Sequence, residues 1–450
     1  MSTSAPLRAG IDLGSTAFKL LITDEGGTEL VSEQVATPWL LGAHGAADLP
    51  VDRLLSSVNT LMTAAAHRLD ALHSPPVGAI GISGMGESGF LVDPQGQPVA
   101  PAFAWFDPRG AAQVAAFPAP VRTQFAGRTG LPLGTQVTVA KIALLRDGGV
   151  DLAGLRWLNL PEFVATALGA RAVSEYSLAS RTGLLDQDTG LAWRAMADHL
   201  GVDDDFLPPL VASGEHLGTA GVWLPERFAG AAITVAGHDH LVAAESSGPI
   251  PDDHYYVSLG TAEVLLRVLD RPLGYEARAR LASMLINEVR HIVPGKRVLV
   301  AGCKSGLLLR RALQLTGVRD RASRGTLDDE VMALPVEGTL PEGGIAVSGA
   351  RNDDGVLKLE LQTDDVNPAE LFGAVLRHSN AEITRLISAI DQELPAANSS
   401  TLTGGWADMK SVQRARSRVL PSLSISQRQQ ETAFGAAQIA ARLLTDQPLV

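Results

Sequence analysis

Apolar and polar positions follow two kinds of pattern in the first hundred residues. An apolar run from Ala9 ends at Asp12, a glycine turn follows, and a second apolar run covers Phe18–Thr23. Two such runs around a glycine turn are typical of a β-hairpin. Val51–Leu72 then repeats apolar residues with the spacing of one helix face, and Val77–Ser83 is again a short apolar run. The order hairpin, helix, strand predicts an α/β fold with a mixed sheet flanked by helices.

The hairpin pattern returns 246 residues later in the chain. Ser258–Asp270 aligns without a gap with Asp12–Asp24, as an apolar strand, a turn of glycine and hydroxyl residues, a second apolar strand and an acidic end. A repeat at domain length predicts two similar domains that each present a turn to one cleft. Ser258 stands where the first copy has Asp12, so only the first turn would suit a metal ion.

The residues of the first turn suit a phosphate group. Gly14 lets the backbone approach an anion closely, because no Cβ blocks the way. The hydroxyls of Ser15 and Thr16, together with Lys19, offer donors and positive charge. Asp12 offers a hard oxygen ligand for magnesium. The structural alternative is an ordinary hairpin with Asp12 as a turn residue, and this stretch by itself does not decide between the two.

A polar, glycine-rich segment follows the strand at residues 77–83. It brings Glu87, Trp105, Asp107 and Arg109 into one stretch of the chain. Carboxylates and a guanidinium bind hydroxyl groups, and an aromatic ring covers C–H edges, so the segment suits a polyhydroxylated ligand. The alternative is a structural ion pair between Asp107 and Arg109 beside a core tryptophan.

Asp239 is the catalytic candidate. Ile233–Glu245 has the pattern of a strand, a tight turn and a helix, with Asp239 at the strand end, where the sites of α/β proteins lie. A carboxylate there can take the proton of a substrate hydroxyl as that hydroxyl attacks a γ-phosphorus. Two alternatives remain open. His238 and His240 could bind a metal, and Asp239 could merely cap the helix.

Two adjacent glycines mark a further site near the end of the chain. The strand Ser400–Thr403 leads into Gly404 and Gly405, and a helix follows. Two glycines between a strand and a helix let a planar base and a ribose lie against the backbone. The same pair also occurs as a plain turn in α/β domains, so the motif has little specificity by itself.

Composition narrows the class of protein. The 450 residues are 46% hydrophobic and 19% charged, which is typical of a globular chain with enough length for two cores. A net charge of −12 argues against nucleic-acid binding. The single cysteine, Cys303, excludes an internal disulfide and fits a reducing compartment. We expect a soluble, cytoplasmic protein, since no apolar stretch nears the ~20 residues that span a bilayer and Met1–Leu7 lacks the regions of a signal peptide.

Taken together, these motifs resemble those of the FGGY carbohydrate kinases, within the larger superfamily of actin, Hsp70 and sugar kinases. The resemblance runs nearly from end to end and rests on the order and spacing of the motifs at Gly10–Thr16, Gly81–Arg109, Ala236–His240, Ser258–Thr261, and Thr403–Trp406 with Glu431–Ala437. It implies two ribonuclease H-like (actin-like ATPase) domains, residues 1–247 and 248–450, with mixed sheets flanked by helices and an active site in the cleft between them.

The family implies transfer of the γ-phosphate of ATP, with Mg²⁺, to a hydroxyl of a ketose, sugar alcohol or related small polyol. By position, Asp239 would be the general base, and Asp12 and Asp239 would hold the metal. The residues that the resemblance assigns to ATP are Gly14, Ser15, Thr16, Lys19, Gly260, Thr261, Gly404, Gly405 and Trp406. Those assigned to the sugar are Glu87, Trp105, Asp107, Arg109, Gln136 and His240.

This chain departs from the family pattern at several points. His238 stands where a third glycine is frequent, Trp406 replaces a glycine or alanine, and residues 271–302 form a short segment for the family. Two other hypotheses stay open: a nucleotide-driven switch protein on the same fold, and a degenerate kinase that binds sugar without turnover. The sequence does not tell which polyol is used, at which hydroxyl, or whether two subunits form a homodimer.

Overall fold

The structure, a computed structural model, describes residues 5–335, 344–351, 356–426, 428 and 430–445. The strands of the first half are β1 (Leu7–Leu13), β2 (Ala17–Thr23), β3 (Glu29–Ala36), β4 (Leu40–Leu41), β5 (Ala47–Leu49), β6 (Val77–Gly84), β7 (Gly89–Val92), β8 (Ala102–Phe103), β9 (Arg156–Asn159), β10 (Ser174–Glu175), β11 (Leu210–Val211), β12 (Gly218–Thr219) and β13 (Ala232–His238). The helices of this half are α1 (Val51–Ala71), α2 (Ala111–Ala116), α3 (Ala119–Thr129), α4 (Thr138–Asp147), α5 (Leu160–Leu168), α6 (Tyr176–Ala179), α7 (Arg194–Leu200) and α8 (Asp239–Glu245).

The second half continues the same mixture of elements. Its strands are β14 (His254–Leu259), β15 (Glu263–Leu269), β16 (Ile286–Arg290), β17 (Arg297–Cys303), β18 (Ile345–Ser348), β19 (Lys358–Leu361), β20 (Ser399–Thr403) and β21 (Leu423–Ile425). Its helices are α9 (Tyr275–Ser283), α10 (Ser305–Leu315), α11 (Arg321–Ala333), α12 (Pro368–Asp391), α13 (Lys410–Arg416) and α14 (Glu431–Ala441). None of the helices in these described ranges combines the length and apolar character needed to cross a bilayer.

Two mixed sheets form the centres of the two halves. The first has the strand order β12-β13-β6-β1-β2-β3, with β1 antiparallel to β2 and parallel to β6. The second has the order β16-β17-β15-β14-β20-β21, with β14 antiparallel to β15 and parallel to β20. The hairpins β1–β2 and β14–β15 therefore occupy equivalent positions in their sheets, as the repeat predicts, and the predicted α/β architecture is confirmed.

Buried apolar side chains hold each sheet against its helices. The predicted apolar face of α1, including Leu54, Leu61 and Leu69, is buried in the first core. A second cluster extends from one half to the other and includes Val242 of α8 and Leu266 of β15. The two halves consequently share part of their hydrophobic core, and burial of apolar surface stabilises their contact.

The last long helix returns to the first sheet. Helix α14 follows β21 of the second sheet in the chain, but it packs on β1 and β6 and against α8. The backbone of α14 lies close to these elements because glycines occupy the positions of contact. A Cβ on Gly10 would lie 1.8 Å from the carbonyl oxygen of Ala433, and one on Gly81 would lie 2.1 Å from that of Ala436. A Cβ on Gly435 of α14 would likewise lie 2.3 Å from the carbonyl oxygen of Val242.

Gly10→Ala should destabilise the protein, because the added methyl group has to displace the backbone of helix α14. Overpacking of this kind costs roughly 1–3 kcal/mol of the free energy of unfolding. Gly325→Ala is the matched control, since Gly325 lies inside α11 and a Cβ there meets no atom within 4 Å. Urea unfolding should show a loss for Gly10→Ala and no loss for the control. Equal unfolding midpoints for the two variants would contradict the close packing of α14.

A candidate active site at the strand ends of the first sheet

The first turn is held by hydrogen bonds to its carbonyl oxygens. The Oγ1 of Thr37 donates to the carbonyl of Gly14 at 2.7 Å, and the Nε1 of Trp39 donates to that of Ser15 at 2.8 Å. The amide of Thr37 donates to the carbonyl of Thr16 at 3.1 Å. The backbone of the turn is therefore fixed, while Ser15 is half-buried and Thr16 is exposed.

Asp12 lies near the end of β1, opposite Lys19 of β2. The Nζ of Lys19 is 3.7 Å from Oδ2 of Asp12, and the buried Oδ1 has no hydrogen-bond partner in the structure. Burial raises the pKa of Asp12 from 3.8 to about 7, Lys19 opposes this rise, and the negative charge of Asp239 adds to it. Asp12 pairs with Ser83 of β6, and Ser83 pairs in turn with Gly237 of β13, so Asp12 and Asp239 lie at the same edge of the sheet. An unpaired, buried carboxylate oxygen beside a second carboxylate fits a bound cation.

Asp239 follows a β-bulge in β13, where its pairing with β6 shifts between Val235 and Gly237. Gly237 has a φ of +111°, which favours glycine, and its carbonyl oxygen accepts a hydrogen bond from Ser83 Oγ at 2.9 Å. The amide of His238 donates to Ser177 Oγ at 3.0 Å. Bulges of this kind re-aim side chains next to active sites. Here the bulge sets the direction of the chain just before Asp239.

One oxygen of Asp239 is engaged by its neighbours in sequence. Oδ1 accepts a hydrogen bond from the amide of His240 at 2.7 Å and lies 3.4 Å from Nε2 of His238. Burial opposes ionisation, but the two histidines and this hydrogen bond together lower the pKa of Asp239 below 3.8. Within the described residues, Oδ2 has no hydrogen-bond donor. Asp239 is the first residue of α8 and not its cap, which is His238.

The two histidines differ in their surroundings. His238 is buried, and its desolvation lowers its pKa from 6.5 to about 3, so the ring is neutral at physiological pH. His240 is partly exposed. Within the described ranges, no group of three or more His, Cys, Asp or Glu side chains is arranged to hold a metal, so neither this pair nor Asp12 with Asp239 forms a complete set of protein ligands.

Glu87 joins this site through a partner that the sequence analysis missed. Arg181 donates through Nε to Oε1 of Glu87 at 2.6 Å, and its Nη2 contacts the same oxygen. Burial raises the pKa of Glu87 while Arg181 lowers it, and Asp239 and His240 also act on this pKa. Oε2 of Glu87 takes no hydrogen bond from the described residues. Arg181 lies in a segment that reads as a polar loop in the sequence, and no motif singles it out.

Asp107 and Arg109 form the structural ion pair that the sequence left open. Asp107 is fully buried, and its carboxylate accepts from the amides of Ala47 and Arg109, both at 2.8 Å, and from the Arg109 guanidinium. Arg109 also contacts Asp48 at 2.5 Å, and the Nζ of Lys141 donates to the carbonyls of Asp107 and Arg109. These contacts fix the loop. The predicted sugar contacts of Asp107 and Arg109 stay a prediction.

Trp105 lies at one end of a row of aromatic rings. Its ring meets that of Phe106 edge-on, with 5.5 Å between the centroids, and Phe106 meets Trp39 in the same manner at 5.8 Å. Because Trp39 binds the Ser15 carbonyl, this row connects the Trp105 loop to the first turn. Gln136 is half-buried and folds over Gly134, where an added Cβ would lie 2.3 Å from its Oε1. Among the residues that the structure describes, no hydrogen bond joins Gln136 to Asp12, Asp239 or Glu87.

The second turn is held by helix α10. A Cβ on Gly306 would lie 1.8 Å from the carbonyl oxygen of Gly260, and the amide of Leu307 donates to the carbonyl of Thr261 at 3.0 Å. Gly404 packs on the same turn: it has a φ of +97°, and an added Cβ would lie 2.5 Å from the carbonyl oxygen of Leu259. The two predicted ATP motifs of the second half are therefore in direct contact.

Gly405 and Trp406 form an open surface beside this contact. A Cβ on Gly405 would meet no atom within 4 Å. The guanidinium of Arg324 lies over the Trp406 ring at 4.5 Å and donates to the Gly405 carbonyl at 3.1 Å. Arg324 is a second residue that the sequence analysis missed, because it is in α11, about 80 residues from the glycine pair. The stacked guanidinium holds the indole of Trp406 in place.

The first half of the chain matches the model of the N-terminal domain of the FGGY family of carbohydrate kinases, over residues 7–244. The chain belongs to this family. A xylulose kinase of Lactococcus lactis is 23% identical over 300 residues, which are 64% of this chain and 56% of that kinase. A gluconokinase of Bacillus subtilis is 22% identical over 298 residues, with the same two coverages. The matched part thus spans little more than half of each relative.

A solved structure supports the fold over the whole chain. The crystal structure of Plasmodium falciparum glycerol kinase with ADP has a TM-score of 0.83 to this chain at 16% identity. The match covers 99% of this chain and 91% of that one. The chain therefore has the two-domain, actin-like ATPase fold of the FGGY kinases. The domain boundary at residues 247 and 248 stays a prediction.

Asp12→Asn should stabilise the protein, and more so at pH 8 than at pH 5. The folded-state pKa of about 7 is above the ordinary 3.8, so ionising Asp12 costs stability as the pH rises between these values. Asparagine does not ionise. The gain in the free energy of unfolding over the parent should grow by about 2–3 kcal/mol between pH 5 and pH 8. Urea unfolding at both pH values measures it, with the exposed Asp52→Asn as control. A pH-independent difference would contradict the burial of Asp12.

Proposed function

We propose that this protein is an ATP-dependent kinase that transfers the γ-phosphate to a hydroxyl of a small ketose, sugar alcohol or related polyol. The observation that carries the proposal is the state of the three carboxylates at the strand ends. Asp12, Asp239 and Glu87 each have one oxygen in contact with a protein cation or donor and one without a hydrogen bond from the described residues. Membership of a carbohydrate-kinase family supports the same activity.

Asp239 would act as the general base. Its lowered pKa keeps it ionised at neutral pH, and its Oδ2 is left to accept the proton of the acceptor hydroxyl. The hydroxyl oxygen then forms the new bond to the γ-phosphorus while the bond to the ADP oxygen breaks. The amide of His240 donates to Oδ1 and orients the carboxylate, and the rings of His238 and His240 lie 3.4 Å and 4.0 Å from the same oxygen.

The turns would bind the nucleotide. The fixed first turn and Lys19 would face the transferred phosphate, and Gly260 with Thr261 would hold the other phosphates. Gly404, Gly405 and Trp406 would receive the adenosine. Mg²⁺ would be held through Oδ1 of Asp12, with Asp239 nearby, and would offset the charge of the phosphate oxygens.

The acceptor would lie between Glu87, His240 and the Trp105 loop. Oε2 of Glu87 can accept from a sugar hydroxyl, while the indole of Trp105 covers C–H groups. Arg181 forms an ion pair with Glu87, so the pair presents little net charge to an anionic acceptor. We therefore expect a neutral polyol in preference to a sugar acid.

Asp239→Asn should lower kcat by about 10²–10⁴-fold, because the amide cannot take the hydroxyl proton. Binding of ATP and acceptor should be retained, since the side chain keeps its size. Coupled ADP release against a panel of ketoses, pentitols, tetritols, glycerol and sugar acids finds the acceptor and then gives kcat and KM. Asp52→Asn, exposed in α1, is the matched control.

Each outcome of this experiment has a definite meaning. Near-parental turnover in Asp239→Asn would contradict the role of Asp239 as base. If no acceptor raises ADP release above background while ATP still binds, the protein is a switch protein or a degenerate kinase, and the proposed function is wrong.

A further inference from the structure

Glu431, the first residue of α14, accepts hydrogen bonds from three separate segments of the second half. Its side chain is buried, and Oε2 accepts from the Tyr256 hydroxyl at 2.5 Å and from Thr403 Oγ1 at 2.7 Å. Oε1 accepts from Ser426 Oγ at 2.6 Å. These donors belong to β14, to β20 and to the segment after β21. Bonds to an ionised acceptor are stronger than neutral ones, so this carboxylate fixes all three donors.

The donors lie directly beside the two nucleotide motifs. Thr403 immediately precedes Gly404, and it pairs across the sheet with Ser258, at the start of the second turn. Tyr256 is two residues before Ser258 on the same strand. A shift of the Glu431 carboxylate would consequently move the backbone that leads into both motifs.

The rest of helix α14 reaches the catalytic side. Ala433 packs on Gly10, two residues before Asp12, and Gly435 packs on Val242 of α8, the helix that begins at Asp239. Backbone atoms meet directly at these contacts, so the helix cannot shift unless β1 and α8 shift with it. One rigid helix therefore touches the elements that carry Asp12 and Asp239, while its first residue binds the strands that carry the nucleotide motifs.

We propose that Glu431 is a positioning residue for phosphoryl transfer, which fixes the nucleotide-binding strands relative to the catalytic carboxylates through helix α14. The inference rests on the proposed function. Glu431 touches neither substrate nor reacting atoms in this account, and it acts through Thr403 on the Gly404–Gly405 backbone. Loss of its charge should therefore weaken nucleotide binding and leave acceptor binding nearly unchanged.

The test is equilibrium binding of a non-hydrolysable ATP analogue, with Mg²⁺, by titration calorimetry. Glu431→Gln and Thr403→Val should each weaken binding by about tenfold, as expected for one charge-assisted hydrogen bond. The double variant should weaken binding by less than the product of the two single effects, because both variants disturb the contact between Glu431 and Thr403. KM for ATP should rise in parallel, while KM for the acceptor stays within about twofold of the parental value.

Glu382→Gln is the matched control for a purely structural effect. Glu382 is also a buried glutamate in a helix of the second half, but its partners are Arg351 and Arg385. This variant should lower the melting temperature without changing the affinity for the ATP analogue. If Glu431→Gln behaves in the same way, with lower stability and unchanged affinity, Glu431 is structural only and the inference is wrong.

The remaining outcomes separate the inference from the proposed function. A parental protein that binds no ATP analogue would overturn both. A parental protein that binds it, with unchanged affinity in Thr403→Val, would overturn the inference alone. Thr403→Val keeps Glu431 and its bonds to Tyr256 and Ser426, so it serves as the test if Glu431→Gln does not fold.

Discussion

The close packing of helix α14 on β1, β6 and α8 is the constraint on which the arrangement of the two halves depends. Gly10, Gly81 and Gly435 remove the side chains that would separate this helix from β1, β6 and α8, and the backbones meet directly. At the start of the same helix, the Glu431 carboxylate binds hydroxyl groups of the second half. The polar end and the apolar body of one helix thus connect both sheets, and the shared core packs around this connection.

The groups beside the two carboxylates shift their pKa values in opposite directions. Asp12 and Asp239 lie in one site, yet the pKa of Asp12 is raised and that of Asp239 is lowered. The difference arises because Asp239 has two histidines and a backbone amide beside it, whereas Asp12 has one lysine at 3.7 Å and an oxygen without a partner. A cation would offset the cost of ionising Asp12.

The sequence predicted the features that depend on neighbouring residues, and it missed those that depend on the tertiary fold. The two hairpins, helix α1 and the α/β class follow from local periodicity, and the structure confirms them. Arg181 and Arg324 were missed because their partners lie 94 and 81 residues away in the chain. The buried ion pair of Asp107 also depends on the amide of Ala47, which no spacing rule connects to it.

The most direct test of the central claim is ³¹P NMR of the reaction with ATP, Mg²⁺ and the acceptor panel. We expect a new phosphomonoester signal, coupled to a carbon-bound proton of one neutral polyol and formed in equal amount with ADP. Release of inorganic phosphate alone, whatever acceptor is present, would contradict transfer to a polyol and would instead indicate a nucleotide-hydrolysing switch protein.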